Sequence, residues 1–217
     1  TELQTSPQGR LRINLPTAFA VGYLAAPLAA FKSSHPSLTV EAVLADRKVD
    51  LLAEGFDLAV RIGELPDSSL IARKLTSVHR AIYASPRYLQ ARGTPQTPEE
   101  LTQHDCLLYA YHAVPTMWRL NGPDRDVGIE VSGKLVCNHA EMLVEAACQG
   151  LGLVFCPLFL TAPSLRQGRL QRVLPDWCFP LSVSAVYPHA RHVPAKVRLL
   201  VDFLIAHFEK PPWADCL

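Results

Sequence analysis

Residues 46–63, DRKVDLLAEGFDLAVRIG, constrain the fold more than any other stretch of the chain. Val49, Leu52, Ala53 and Phe56 recur at helical spacing, which predicts a short helix. Gly55 stands where that helix would stop, because glycine adopts a left-handed cap without strain. Leu58, Ala59 and Val60 follow as an unbroken apolar run, the pattern of a strand covered on both faces in a parallel sheet. Arg61, Ile62 and Gly63 then occupy the carboxyl end of that strand, where open α/β sheets bind their ligands.

The preceding residues supply the partners such a strand needs. Residues 11–15 alternate as a strand that ends at Pro16-Thr17, with Thr17 placed to cap a helix. An apolar helix is predicted over 19–35, with Leu24, Leu28 and Phe31 on one face. Pro27 lies inside it, so the helix either starts late or kinks there. Residues 38–44 alternate over half their length, as a strand less covered than the third. The order β-α-β-α-β implies right-handed crossovers and a parallel sheet.

The later chain repeats this grammar. Residues 69–75 read as an extended crossing segment and 80–84 as a strand. Ser85 then caps a helix with Pro86 at its first position. Thr97 and Glu100 form a capping box. Trp118–Leu120 and Ile129–Val131 are short strands around an Asn121-Gly122-Pro123 turn. A helix over 140–149 ends at Gly150, followed by a buried strand over 153–157. A strand over 181–187 and an amphipathic helix over 194–209, with Val197, Leu200, Val201 and Leu204 on one side, close the chain.

Composition excludes several functions. With 49% apolar and 19% charged residues among 217, the chain is an ordinary globular protein of one large or two small domains. A net charge of +1 argues against a nucleic-acid surface. The longest apolar runs contain proline and fall short of the roughly 20 residues that span a membrane. The chain starts at Thr1 with no initiator Met or leader pattern, and reads as part of a longer protein. Its six cysteines include no Cys-x-x-Cys pair, which favours reduced core thiols in the cytoplasm over zinc or disulfides. Gly150-x-Gly152 precedes a strand and reads as a turn, not a dinucleotide loop. His189 and His192, beside prolines, read as exposed loop residues without further metal ligands. No nucleophile elbow or phosphate loop is present, so the reading is of a non-enzyme without a cofactor.

What remains are strand ends. Pro16, Thr17 and Ala18 follow the first strand, Asp46 the second, and Arg61, Ile62 and Gly63 the third. Ala84-Ser85 and Asn138-His139 occupy the equivalent turns of the later chain. Backbone N–H groups and hydroxyls at helix starts favour anions, although Thr17 and Ser85 also serve as plain caps. Arg61 requires a carboxylate, water or a ligand; Glu64 and Asp67 are the nearby carboxylates. Ile62, Phe155 and Pro157 would wall an apolar ligand body. These features point to a small organic anion.

Residues 54–63, EGFDLAVRIG, closely resemble a signature of the regulatory domains of LysR-type transcriptional regulators. So do Gly9-Arg10-Leu11-Arg12-Ile13, the helix ending in Phe31, His35 and Pro36, and the strand running into Ser85-Pro86-x-Tyr88-Leu89. The resemblance covers nearly the whole chain. It implies an α/β fold of two Rossmann-like subdomains, resembling type 2 periplasmic binding proteins and joined by two crossover strands. Residues 1–8 would end a linker, 9–77 with 181–217 would form subdomain I, and 78–180 subdomain II. An N-terminal winged helix-turn-helix, absent from this chain, would make the only DNA contact. The resemblance places a small-molecule effector in the cleft between the halves, with Thr17, Asp46, Ile62, Ser85, Asn138 and Pro157 lining it. His139 departs from the Gly or Asp that many members carry, which bears on ligand preference. The family also implies a homodimer or homotetramer, the helix over 19–31 packing against the 140–149 helix of another subunit. The rival readings are a stand-alone solute-binding protein of a transporter and a small cytosolic enzyme on the same scaffold.

Overall fold

The computed structural model describes residues 7–65, 69–189 and 192–216. In chain order the strands are β1 (Gly9–Leu15), β2 (Leu38–Leu44), β3 (Leu58–Ile62), β4 (Leu70–Ala84), β5 (Cys106–Tyr109), β6 (Met117–Asn121), β7 (Asp126–Glu130), β8 (Leu135–Cys137), β9 (Leu153–Pro157), β10 (Gln171–Val173) and β11 (Phe179–Pro188). The α-helices are α1 (Thr17–Phe19), α2 (Ala25–Ser34), α3 (Pro86–Arg92), α4 (Ala140–Cys148), α5 (Leu158–Arg166) and α6 (Ala195–His207). Among the described residues, one compact unit holds those up to Ser77 together with Ser182–Ala214. The other holds Val78–Leu181 with Asp215 and Cys216. β4 and β11 each run from one unit into the other. Among the described residues no helix is long and apolar enough to cross a membrane.

Unit one is a sheet in the order β2-β1-β3-β11. β1 runs parallel to β2 and β3, and β11 runs antiparallel to β3. Leu58, Ala59 and Val60 are fully buried, as their unbroken apolar run requires. β2 pairs with β1 alone and buries only Leu38. The buried residues Val197, Leu200, Val201 and Leu204 make one stripe of α6. Phe208 and Trp213, which follow α6, pack on Phe19 with ring centroids 5.6 and 5.8 Å away.

Two local expectations change in unit one, and a third, left open at Pro27, is resolved. The helix predicted over 49–56 is a single set of turns. Gly55 N–H bonds the Leu52 carbonyl and Phe56 N–H the Leu51 carbonyl, the Schellman ending, with Gly55 at φ +68°. Leu51, not Leu52, faces the core with Val49 and Phe56, and Leu52 is 67% exposed. One turn suffices because the chain must re-enter the sheet at Leu58, too soon for a helix to propagate beyond its nucleus. Thr17 is not the cap: Pro16 holds that position, and Thr17 is the first helical residue. Between α1 and α2, Ala20–Leu24 widen into a π-type turn, with the Ala25 N–H on the Ala20 carbonyl. Pro27 gives the physical reason, since it has no N–H for the Tyr23 carbonyl and its ring crowds that group. The regular helix therefore starts late, with Pro27 in its first turn.

Unit two is a sheet in the order β4-β9-β5-β8, with β10 also paired to β4. β9, β5 and β8 are mutually parallel, but β4 runs antiparallel to β9, with Arg80 opposite Pro157 and Tyr83 opposite Val154. The segments at 69–75 and 80–84 belong to one strand of 15 residues. The β6–β7 hairpin turns Trp118, Leu120 and Ile129 into a core shared with Leu108, Leu153 and Phe155. Ser85 caps α3 as expected, its Oγ accepting the Tyr88 N–H at 3.2 Å. The capping box is displaced: Glu100 Oε2 accepts the Gln96 N–H at 2.9 Å, and Thr97 makes no side-chain capping bond. The helix that follows, Pro98–Gln103, is 3₁₀, and its tighter winding moves the carboxylate by about one residue. Nor are the cysteines all core thiols. Cys106 and Cys156 are buried, whereas Cys137, Cys148 and Cys178 are half-buried.

Candidate functional site

In unit one the parallel ladder sets the carboxyl ends of β1, β2 and β3 side by side. It therefore brings Pro16, Thr17, Ala18, Asp46, Arg61, Ile62 and Gly63 to a single edge. Asp46 Oδ1 accepts the Thr17 N–H at 2.9 Å, so a side chain of this edge satisfies one orphan donor of the helix start. Arg61 Nη1 donates to Asn14 Oδ1 at 2.6 Å and to its neighbour's Val60 carbonyl at 3.3 Å. Asn14, fully buried on β1, is held by its own bond to the Val43 carbonyl at 3.0 Å. Arg61 Nη2 is buried and has no hydrogen-bond partner among the described residues. Burial pulls the Arg61 pKa below the usual guanidinium value, with the Glu54 charge opposing. The contacts of Arg61 among the described residues are those to Asn14 and Val60 rather than Glu64, and Asp67 lies outside the described residues. Gly63 sits at φ +117°, a backbone state that a β-carbon strains, and donates its N–H to Ser182.

Unit two divides the predicted residues. The carboxyl ends of β5, β8 and β9 share an edge, which holds Asn138, His139 and Pro157. Ala84 and Ser85 do not join them. Because β4 is antiparallel to β9, its carboxyl end lies beside Leu153, at the opposite edge of the sheet. Ala84 and Ser85 are also almost fully buried, at 0% and 1% exposure, and the Ser85 hydroxyl is engaged as a cap. Ala84 and Ser85 thus lie away from the edge that holds Asn138, His139 and Pro157. Phe155 is 4% exposed and belongs to the core, packed on Trp118 at 5.3 Å.

The same reversal brings in a residue that the sequence reading missed. Arg80, at the other end of that β4 segment, stands opposite Pro157 at the edge. Its guanidinium lies over the rings of Phe155 and Phe179, 5.2 and 5.8 Å from their centroids. His112, after β5, packs edge-on against Tyr109 at 5.1 Å. Burial, with the Arg80 charge adding to it, pushes its pKa down to about 3, so the ring is neutral near pH 7. Tyr111 accepts a hydrogen bond at its hydroxyl from Asn138 Nδ2 at 3.1 Å. One signal was available in the sequence: Arg80 is a cation opening the apolar run Ala81, Ile82, Tyr83, Ala84, much as Arg61 closes one. His139 is half-buried, with Nε2 3.8 Å from Glu141. His189 and His192 are exposed, and among the described residues no cluster of three or more His, Cys, Asp or Glu side chains could hold a metal.

A sequence profile described as the LysR substrate binding domain matches residues 4–209. An uncharacterized HTH-type transcriptional regulator of Haemophilus influenzae is 40% identical over 203 residues, covering 91% of this chain and 69% of that protein. The HTH-type transcriptional activator TtdR of Escherichia coli is 32% identical over 207 residues, covering 95% and 67%. The full-length structure of the Vibrio cholerae virulence activator AphB, a member of the LTTR family, matches with a TM-score of 0.80 at 31% identity, over 93% of this chain and 69% of that one. The regulatory domain of CrgA from Neisseria meningitidis matches with a TM-score of 0.80 at 28% identity, over 93% and 99%. The chain spans about two thirds of the length of these curated relatives.

Proposed function

Because this chain belongs to the LysR substrate-binding domain family, we propose that its effector is a small organic anion held at the strand-end edges. The chain is the effector-binding domain of a transcriptional regulator, and the family is not enzymatic. The relatives leave the transporter and enzyme readings without support. Arg61 carries the proposal: a guanidinium with one buried nitrogen that has no partner among the described residues, at a strand-end edge, is a ready partner for a carboxylate. Arg80 gives unit two a matching cation at its own edge. Ile62 beside Arg61 and Pro157 opposite Arg80 add an apolar contact at each edge.

Residues 9–77 with 181–217 and residues 78–180 are the two regulatory subdomains of the proposal. The whole regulator would add an N-terminal winged helix-turn-helix, act in the cytoplasm, and bind DNA through that domain alone. Effector binding would shift a pre-existing equilibrium between two arrangements of a homodimer or homotetramer. Supporting self-association, one side of the helix running from α1 into α2 exposes Val21, Gly22, Ala25, Ala26, Ala29 and Ala30. On α4, Met142 is 54% exposed, but Leu143, Val144 and Ala147 are core, so the free apolar side is narrower than the sequence implied. The test is a thermal-shift screen of small carboxylic acids, followed by calorimetry of the best hit on Arg61→Met and Arg80→Met. Each variant is expected to lose about tenfold or more in affinity, from the roughly 1.5–3 kcal/mol of a charge-assisted hydrogen bond. Unchanged affinity in both folded variants sinks the site.

A further inference from the structure

Unit two also has a cavity of about 280 Å³, open to solvent on one side and lined by Tyr83, Leu158, Leu165, Arg166, Arg172 and Asp215. The β4–β10 ladder places Arg172 directly opposite Tyr83, so their side chains emerge on the same face. Tyr83 is three residues from Arg80 along β4, and an odd separation puts the two on opposite faces of the sheet. The cavity is therefore separate from the strand-end edge. α5 forms one wall: Leu158 and Leu165, seven residues apart, lie on one stripe of that helix.

The chemistry of the lining is specific. Tyr83 and Leu158 are buried and form an apolar floor, while Arg166 and Asp215 are exposed at the rim. The guanidinium groups of Arg166 and Arg172 and the carboxylate of Asp215 make up the charged part of the lining. Arg172 Nε is buried and has no hydrogen-bond partner among the described residues. A buried charged donor without an acceptor is costly, and an arriving oxyanion relieves it. The volume lies just below the roughly 300–1,000 Å³ of sites for drug-sized ligands, so the occupant is small. We propose that this cavity is a second binding site, for a one-ring aromatic monocarboxylate whose carboxylate meets Arg172 and whose ring rests on Tyr83, Leu158 and Leu165.

The experiment titrates sodium benzoate into the chain and follows backbone amide shifts by NMR. Saturable shifts are expected at Tyr83, Leu165 and Arg172. Leu165→Trp, which fills the cavity, should abolish them. Arg172→Lys, which keeps the charge but removes Nε, should weaken binding about tenfold. Arg61→Met should leave these shifts intact, which separates this site from the strand-end effector site whether or not that one exists. Absence of saturable shifts, their persistence in both cavity variants, or their loss in Arg61→Met overturns the proposal. Equal affinity for inorganic phosphate at the same residues overturns the aromatic class. Circular dichroism confirms that each variant is folded; if Leu165→Trp is not, Leu165→Phe replaces it with the same expected loss.

Discussion

Unit one and unit two build their edges from strands that enter in opposite senses. β1 opens unit one parallel to its neighbours, so its last residue, Leu15, delivers Pro16, Thr17 and Ala18 to the edge. β4 enters unit two antiparallel to β9, so the edge receives the start of that segment, Arg80, while its end, Ser85, falls on the far side. In the proposed site the strand-end rule applies to the parallel strands of both units. For the crossing strand the proposal takes the incoming end, because that end shares the edge with Pro157.

The comparison can be broken most severely through the ring beneath Arg80. Phe155→Ala removes a buried side chain that touches both Trp118 and Arg80, and should cost about 3–5 kcal/mol in urea unfolding. Next in size, Arg80→Met should weaken the best carboxylate ligand about tenfold or more while stability holds, matching Arg61→Met in the other unit. Ser85→Ala sharpens the contrast at the far edge: it should cost about 1 kcal/mol of stability through the lost cap and leave ligand affinity unchanged. A Ser85 variant that binds tenfold more weakly would restore the parallel reading.

Two smaller effects follow. His112 has its pKa pushed down to about 3 by burial and by Arg80, against about 6.5 in the unfolded chain. Between these values the unfolded state binds the extra proton, so stability present above pH 6.5 is lost as pH falls toward 3. Arg80→Met should move the His112 titration, read by NMR, upward toward 6.5. Smallest in stability is Val21→Lys, at a position 66% exposed: within about 0.5 kcal/mol of the original in unfolding, but monomeric by light scattering at tens of micromolar if the α1–α2 face is the contact between copies. A chain that is already monomeric there removes the basis for that contact.

Where the sequence was legible, local physics decided the outcome. The run Leu58-Ala59-Val60, the Ser85-Pro86 helix start and the stripe of α6 each follow from spacing alone. The misses share a different cause. Strand direction is set by which neighbour a strand pairs with, and nothing within residues 80–84 encodes the antiparallel pairing to β9. Leu51 and Leu52 are adjacent apolar residues, and only the requirement to re-enter β3 chooses Leu51 for the core. The Thr17 N–H is met by Asp46, 29 residues away, a partner that no local window contains.

That bond has a consequence for how unit one discriminates among molecules. The first N–H of α1 already faces a resident anion, Asp46 Oδ1, at 2.9 Å. A visiting carboxylate drawn to the same helix start would meet a like charge, at a penalty of about 4 kcal/mol for 4 Å separation in a surface-like dielectric. Arg61 offers the opposite sign on the same edge. A molecule held at the proposed site would be sorted by polarity along its length, its anionic head toward Arg61 and a neutral or hydroxyl-bearing tail toward Asp46. On that proposal a dianion with charge at both ends would bind less well than a monoanion.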